Sequence, residues 1–277
     1  MEADGSPTIE QSTEQKPKRR WYQYSLRTLM IIVTLFAVAC SWFTVKLGQA
    51  RRQREAVEAI EKWSKSVKIR YDWQIWSSGP IIPAWLRKML GDDFFYNVYE
   101  LDVQAADLTE SDLTPLKYLT GTETIFLSYC KINDDGLPLK DLHKLRNLTI
   151  HGTNITDTGL KCLEGLDQLQ TLSLSNRKIT DVGLIHLMGM AHLKTLDLSN
   201  TKITDAGLKH LNGLIQLNWL NLSSTNITDE GLKRLKGMPN LTKLLLDKTN
   251  VTDAGVKDLQ EAMPNLRVEL EPQTNNY

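Results

Sequence analysis

The sequence predicts an α/β solenoid, right-handed, with parallel strands on a concave face and short helices on a convex face, preceded by a single transmembrane helix. Three observations predict it. From Leu101 to Leu270 one pattern of apolar residues returns about every 24 residues. Inside each copy a pair of apolar residues two apart, as on one face of a strand, is followed by leucines at helical spacing. Upstream, Thr28 to Val45 is free of charge and bounded by Arg27 and Lys46.

A formal net charge of zero over 277 residues leaves no basic excess for nucleic acid. The three cysteines offer no disulfide framework and none of the usual zinc spacings. Cys40 lies in the uncharged run, and Cys130 and Cys162 fall at different positions of neighbouring repeats. Cysteine usage leaves the compartment open.

Residues 1–24 read as a disordered tail, polar and then basic. Met1 to Lys18 has almost no large apolar residue with which to offset the entropy of ordering. Lys16, Lys18, Arg19, Arg20 and Arg27 are interleaved with Trp21, Tyr22 and Tyr24. The transmembrane helix is expected over residues 25–47, with residues 28–45 in the membrane. At about 1.5 Å per residue this run is at the short end of what spans a hydrocarbon core of roughly 30 Å. Trp21, Tyr22 and Tyr24 before it, and Trp42 and Phe43 at its end, suit the two interfaces. A buried core helix would keep a polar face, whereas only Thr34, Ser41 and Thr44 interrupt this run. A cleaved signal is the alternative, because Ala37-Val38-Ala39-Cys40 resembles a processing site. The run continues past it through Trp42, Phe43 and Val45, and Ala37 stands where a lipoprotein signal carries Leu, which favours an uncleaved anchor. The positive-inside count is nearly tied. A short basic tail ahead of a first apolar segment ordinarily stays in the cytoplasm, so the repeats are expected on the outer, periplasmic or extracellular side.

Residues 48–97 read as a juxtamembrane helical stalk and N-terminal cap. Gln49 to Trp63 lacks proline and glycine, with Ala56, Ile60 and Trp63 at helical spacing. Val67 to Trp73 alternates as a strand does, and Gly79-Pro80 with Pro83 breaks the chain before a short helix at Ala84 to Leu90. An open solenoid end exposes an apolar cross-section, so Val67 to Tyr96 is expected to cap the first repeat. The charges around Arg51 read as solvated, with anionic lipid heads as the alternative.

Residues 98–277 hold about seven repeats and eight strands, with a C-terminal cap. The strand pairs are Leu101/Val103, Ile125/Leu127, Leu148/Ile150, Leu172/Leu174, Leu196/Leu198, Leu220/Leu222, Leu244/Leu246 and Val268/Leu270. Asp134, Asp157, Asp181, Asp205, Asp229 and Asp253 recur at one position, each followed two residues later by glycine. The first repeat departs, with Leu108, Glu110 and Asp112 where later repeats have Ile, Asp and Gly, as terminal repeats commonly do. The strand leucines and Ile155, Ile179, Ile203 and Ile227 are expected to fill a continuous core. Thr153, Thr201, Thr225 and Thr249, with Cys130 in the same slot, are expected to bond buried loop backbone. Arg177 breaks that ladder, and a guanidinium cannot fill a small buried slot without a partner, so the loop Asn176 to Lys178 is expected to turn outward. Thr204 or Asp205 is expected to N-cap the short helix after it.

The spacing L-x-x-L-x-L-x-x-T-x-I-T-D-x-G-L, seen from Leu193 to Leu208, matches the leucine-rich repeat pattern. Segments such as Ile155-Thr156-Asp157-Thr158-Gly159-Leu160 resemble the cysteine-containing leucine-rich repeats found with F-box substrate receptors, with Thr usually replacing Cys. This resemblance covers about residues 98–270. It does not carry the ubiquitin-ligase role, since no F-box-like helical segment precedes the repeats. The order of the whole chain is similar to that of bacterial membrane-anchored leucine-rich-repeat proteins. Tyr24-Ser25-Leu26-Arg27-Thr28-Leu29 opens the span, and Trp85-Leu86-Arg87 leads into Gly91-Asp92-Asp93-Phe94-Phe95. The resemblance implies recognition of a partner without catalysis.

No convergent set of titratable groups suggests an enzyme. Cys162, His186, His210 and Arg234 recur one per repeat and would form a column on the helical side. Neighbours there are roughly 10 Å apart, whereas zinc ligands sit at about 2.0–2.3 Å from one ion. No metal and no cofactor is expected. No glycine-rich phosphate loop follows a strand, and neither G-x-S-x-G nor H-E-x-x-H occurs. Matches to Asn-x-Ser/Thr, such as Asn154-Ile155-Thr156, arise from the repeat itself.

The candidate partner-binding residues therefore lie on the concave face: Phe126, Tyr129, Asn147, His151, Ser173, Asp197, Trp219, Asn221, Lys243, Leu245 and Asp247. Phe126 beside Tyr129 and Trp219 beside Leu245 stand out, because large apolar groups anchor interfaces, although isolated exposed aromatics are common. The expected function is a membrane-tethered binding module for a protein or peptide. The alternative is a structural or envelope-organising protein acting by self-association or cell-surface polymer binding. A hydrolase has no nucleophile–base pair to name.

Overall fold

The structure, a computed structural model, describes residues 26–63, 66–74, 82–104, 107–108, 110–134, 137–175 and 178–270. The expected tail at 1–24, the Gly79-Pro80 break, and Asn176 with Arg177 lie outside them. The chain divides into two compact units, residues 1–45 and 46–277. Helix α1 (Leu26–Ile60) is continuous, with no proline within it to break the backbone hydrogen bonding. In the first unit its side chains from Leu29 to Val45 are all exposed. Thr34 donates its hydroxyl to the Met30 carbonyl at 2.6 Å, and Thr44 to that of Ser41 at 2.8 Å. The few polar side chains of the run thus bond to their own helix.

In the second unit the same helix is amphipathic in effect. Ala50, Gln53, Ala56, Val57 and Ile60 are buried, and Ala56, Val57 and Ile60 join the hydrophobic cluster that runs on to Leu266. The apolar side of the segment expected as the stalk packs against the end of the first repeat. Gln53 donates to Asp93 Oδ1 and to the Tyr96 carbonyl, each at 3.0 Å. Arg54 and the Tyr71 hydroxyl complete the shell of the buried Asp93 carboxylate at 3.3 and 3.1 Å. Burial and that carboxylate push the Tyr71 phenol well above its ordinary value.

Among the described residues nine strands make one sheet in chain order. β1 (Lys68–Tyr71) is antiparallel to β2 (Val98–Gln104) and covers its edge. Thereafter every pairing is parallel: β3 (Thr124–Ser128), β4 (Asn147–His151), β5 (Thr171–Ser173), β6 (Thr195–Asp197), β7 (Trp219–Asn221), β8 (Lys243–Leu245) and β9 (Arg267–Glu269). Leu101, Ile125, Leu148, Leu172, Leu196, Leu220, Leu244 and Val268 pair in one unbroken row, the alignment the repeats predict. α2 (Ala84–Leu90) and α3 (Asp92–Phe95) precede β2.

Across the core from the sheet, the expected short helices differ in kind along the chain. α4 (Glu110–Leu113) begins the series and α5 (Asp229–Leu235) and α6 (Asp253–Ala262) end it. The middle repeats carry single 3₁₀ turns at Gly159–Leu163, Gly183–Leu187 and Gly207–Leu211. Their leucines, such as Leu208, Leu211 and Leu214, recur every third residue and are all buried, and a helix of three residues per turn stacks that spacing on one side.

The repeating Thr-Asp-x-Gly signature joins one repeat to the next. Asp134, Asp157, Asp181, Asp205 and Asp229 each accept from the backbone N–H of the threonine one repeat on, at 2.6–2.9 Å, and from its hydroxyl at 2.5–2.7 Å. Asp205 is therefore a clamp between repeats rather than an N-cap. The threonine does the capping, as Thr228 accepts from Glu230 N–H and Thr252 from Gly255 N–H. The glycine makes room, for a Cβ on Gly159, Gly183, Gly207, Gly231 or Gly255 would overlap the clamping carboxylate of the repeat before. Thr201, Thr225 and Thr249 donate to the carbonyls of Leu198, Leu222 and Leu246 at 2.5–2.7 Å, and Cys130 in the same slot lies 3.6 Å from the Val103 carbonyl, whereas the Thr153 hydroxyl, expected to do the same, is buried without a partner among the described residues.

Candidate binding face

Residues alternate across each strand, so the side chains next to the buried row form a grid on the outer face of the sheet. One row is Thr124, Asn147, Thr171, Thr195, Trp219 and Lys243, and the next is Phe126, Thr149, Ser173, Asp197, Asn221 and Leu245. Every grid candidate from Phe126 to Asp247 is half-buried except Tyr129, which is 64% exposed.

Several polar candidates are occupied by the fold itself. Asp197 Oδ1 accepts from Ser199 N–H at 2.9 Å and Asn221 Oδ1 from Ser223 N–H at 3.0 Å, so each turns its own strand end. The Ser173 hydroxyl donates to Asp197 Oδ2 at 3.5 Å, and Asn147 donates to the Thr124 hydroxyl at 3.0 Å. Lys243 pairs with Glu269 at 2.8 Å. These residues order the face more than they offer it.

The large groups fall at three places on this face. Trp219 is in register with Lys243, and Leu245 with Asn221, so Trp219 and Leu245 are diagonal neighbours on adjacent strands. Among the described residues no ring contact joins Phe126 to Tyr129. Tyr129 instead meets His151 edge to face, with ring centroids 5.0 Å apart and its hydroxyl 3.1 Å from His151 Nε2. Its backbone is left-handed, φ 57°, a position that Gly152, Asn200, Ser224 and Lys248 fill in other repeats. A bulky residue is rare there. Gly152 accommodates it, because a Cβ on that glycine would strike the Tyr129 ring at 2.7 Å. The signal was in the sequence: a tyrosine stands where the other repeats carry small or flexible residues.

On the helical side the Cys162, His186, His210 and Arg234 column stays dispersed. His186 Nδ1 lies 2.9 Å from Glu164 Oε1, and loss of hydration pushes the Cys162 thiol up to about 12. No group of three His, Cys, Asp or Glu able to hold a metal occurs among the described residues. This side does carry a feature that a search of the strands alone misses. Val182, Ile185 and Met188, three apart on the 3₁₀ turn Gly183–Leu187 and its flanks, are exposed, as is Ile215 in the next repeat. The repeats on either side have Thr158, Lys161 and Glu164, and Ala206, Lys209 and Asn212, at those places.

The family model described as Leucine rich repeat matches residues 143–203 and 191–251. No curated protein matches the chain. Among solved structures the chain is similar to internalin C2 from Listeria monocytogenes, at 24% identity and a TM-score of 0.51, covering 63% of this chain and 81% of that one. At this identity the likeness speaks for the fold, a leucine-rich-repeat solenoid. Solenoids of stacked repeats present extended concave surfaces.

Proposed function

We propose that the chain is a membrane-tethered binding module whose outer sheet face, the concave face of the solenoid, recognises a protein or peptide. The sheet face carries this reading. Parallel strands in unbroken register hold side chains on a rigid grid about 4.8 Å apart from strand to strand. Large groups project from it at Phe126, at Tyr129 with His151, and at Trp219 with Leu245. Anchors of this size, set among small polar residues, are what an interface draws on. The apolar half of α1 supports the tether: Leu29 to Val45 is exposed throughout, and its threonines bond to the helix backbone rather than to solvent.

The test uses the full chain in mild detergent as bait, comparing wild type with Trp219→Ala/Leu245→Ala and with Tyr129→Ala. One and the same partner should be recovered at least about tenfold less with either variant, the loss of a hot spot. Equal recovery of every captured protein would sink the assignment to this face. Protease treatment of spheroplasts should digest the repeats without lysis, since the basic tail is read as cytoplasmic. Digestion only after lysis reverses the orientation.

The strip of Val182, Ile185, Met188 and Ile215 favours a second reading, self-association through the helical side. Sedimentation of the full chain in detergent decides it. A concentration-dependent dimer abolished by Ile185→Lys supports it, and a monomer at all concentrations discards it.

A further inference from the structure

We propose that a cleft in the N-terminal cap binds the phosphate-bearing headgroup of an anionic lipid. The inference rests on the tethering reading above. The cleft encloses about 460 Å³, and Lys46, Gln49 and Arg52 of α1 share its lining with Lys117, Thr120 and His143 of the first two repeats.

Three features define what it takes. The first is charge. Neighbouring arginines of the cap are spent on carboxylates, Arg54 on Asp93 at 3.3 Å and Arg87 on Asp92 at 2.7 Å. Lys46, Arg52 and Lys117 form no ion pair among the described residues. Lys117 lies 5.0 Å over the Tyr118 ring, which holds the ammonium at the cleft without neutralising it. Of the two lining carboxylates, Asp93 is saturated by Gln53, Arg54 and Tyr71, and Asp141 is exposed. Three uncommitted cations against one solvated carboxylate favour an anion.

The second feature is hydrogen bonding. The Gln49 amide and the Thr120 hydroxyl add neutral donors of the kind phosphate oxygens accept from. The third is place in the chain. Lys46 is the residue after the apolar run, and Gln49 lies one helical turn further on. Both fall within about 6 Å of the run's end along the helix axis, the depth of a headgroup layer. A free phosphate shares the chemistry but gains nothing from that position, so the lipid is the assigned source.

The test is native mass spectrometry of the full chain in neutral detergent, titrated in turn with dioctanoyl phosphatidylglycerol, dioctanoyl phosphatidylcholine and inorganic phosphate. Wild type is compared with Arg52→Gln, with Lys117→Gln, and with Arg51→Gln, which removes the same charge next door but outside the cleft lining. One phosphatidylglycerol should bind, at least about tenfold more weakly in Arg52→Gln and Lys117→Gln, and within about twofold of wild type in Arg51→Gln. Equal weakening by Arg51→Gln would mean diffuse surface charge and overturn the cleft. Equal affinity for phosphatidylcholine overturns the anion requirement, and phosphate binding as tight as the lipid overturns the headgroup. Unchanged melting curves of the variants show that the cap is intact. Carbonate extraction of native membranes reads the tether separately. Release by carbonate removes the membrane reading, whereas retention with all variants binding alike removes only the cleft.

Discussion

At the scale of single residues, the clamp between repeats reverses an ordinary rule about glycine. Gly231 lies within α5, where alanine normally gains roughly 1 kcal/mol of helix propensity. A Cβ there would overlap Asp205 Oδ1 and press on the Ile227 methyl at 3.0 Å, and Asp205 cannot withdraw without releasing Thr228. Gly231→Ala should therefore lower stability by about 1–3 kcal/mol, the usual cost of overpacking. Gly237→Ala, with nothing within 4 Å of its Cβ, should be neutral or mildly stabilising. Urea denaturation measures both. In an Asp205→Ala background the Gly231→Ala penalty should shrink, because the overlapping oxygen is gone; an unchanged penalty would contradict the clamp. The recurrence of Asp and Gly was plain in the sequence. Their partnership was not, because the carboxylate's bonds are made 23 residues downstream and the local reading of Thr204 or Asp205 as a helix cap was equally good physical chemistry.

At the scale of elements, the second half of α1 separates cap from stalk. Ile60 is fully buried, so Ile60→Ala should cost about 2–5 kcal/mol, whereas a solvated stalk position would change stability by less than about 0.5 kcal/mol. Calorimetric melting of the full chain distinguishes the two. Ala56 and Ile60 already stood at helical spacing in the sequence. What they pack against depends on strands some forty residues away, and charges on the other faces of the helix made it look solvated. The bend between α2 and α3 adds a pH dependence. Arg87 donates to Asp92 at 2.7 and 2.8 Å and holds its carboxyl below the usual carboxylate range. A carboxyl lowered in the folded state stabilises above its unfolded pKa of about 3.9, and that contribution is lost as pH falls through the lower folded value. Arg87→Gln should thus lower the melting temperature at pH 7 and make it fall less between pH 4 and 2 (about two units of pH spanning the lost contribution). Parallel melting curves for variant and wild type across that range would rule out the pair as the cause.

At the scale of the whole molecule, the order of the repeats was legible because a solenoid interacts chiefly with its nearest neighbours. The eight parallel strands follow from a local pattern repeated, with no long-range pairing to be guessed. The candidate face was legible only as a grid. Which members are free and which hold the fold together, as Asp197 and Asn221 do, depends on turns that the repeat pattern leaves unspecified. The same nearest-neighbour logic makes the two ends critical, because an uncapped first repeat presents its core to water. Ala56, Val57 and Ile60 meet that need together with β1, which occupies the edge of β2. A chain begun at Lys46 keeps both and discards the N-terminal tail and the exposed apolar run, so it should be soluble, monodisperse on gel filtration and cooperatively folded by circular dichroism. A chain begun at Ser66 keeps β1 but loses all three α1 side chains and Gln53, leaving Asp93 short of a donor as well as the core uncovered. It should aggregate or melt at least several degrees lower. Equal melting of the two chains would mean that α1 does not cap the solenoid, and the cleft beside it would then lack a fixed wall.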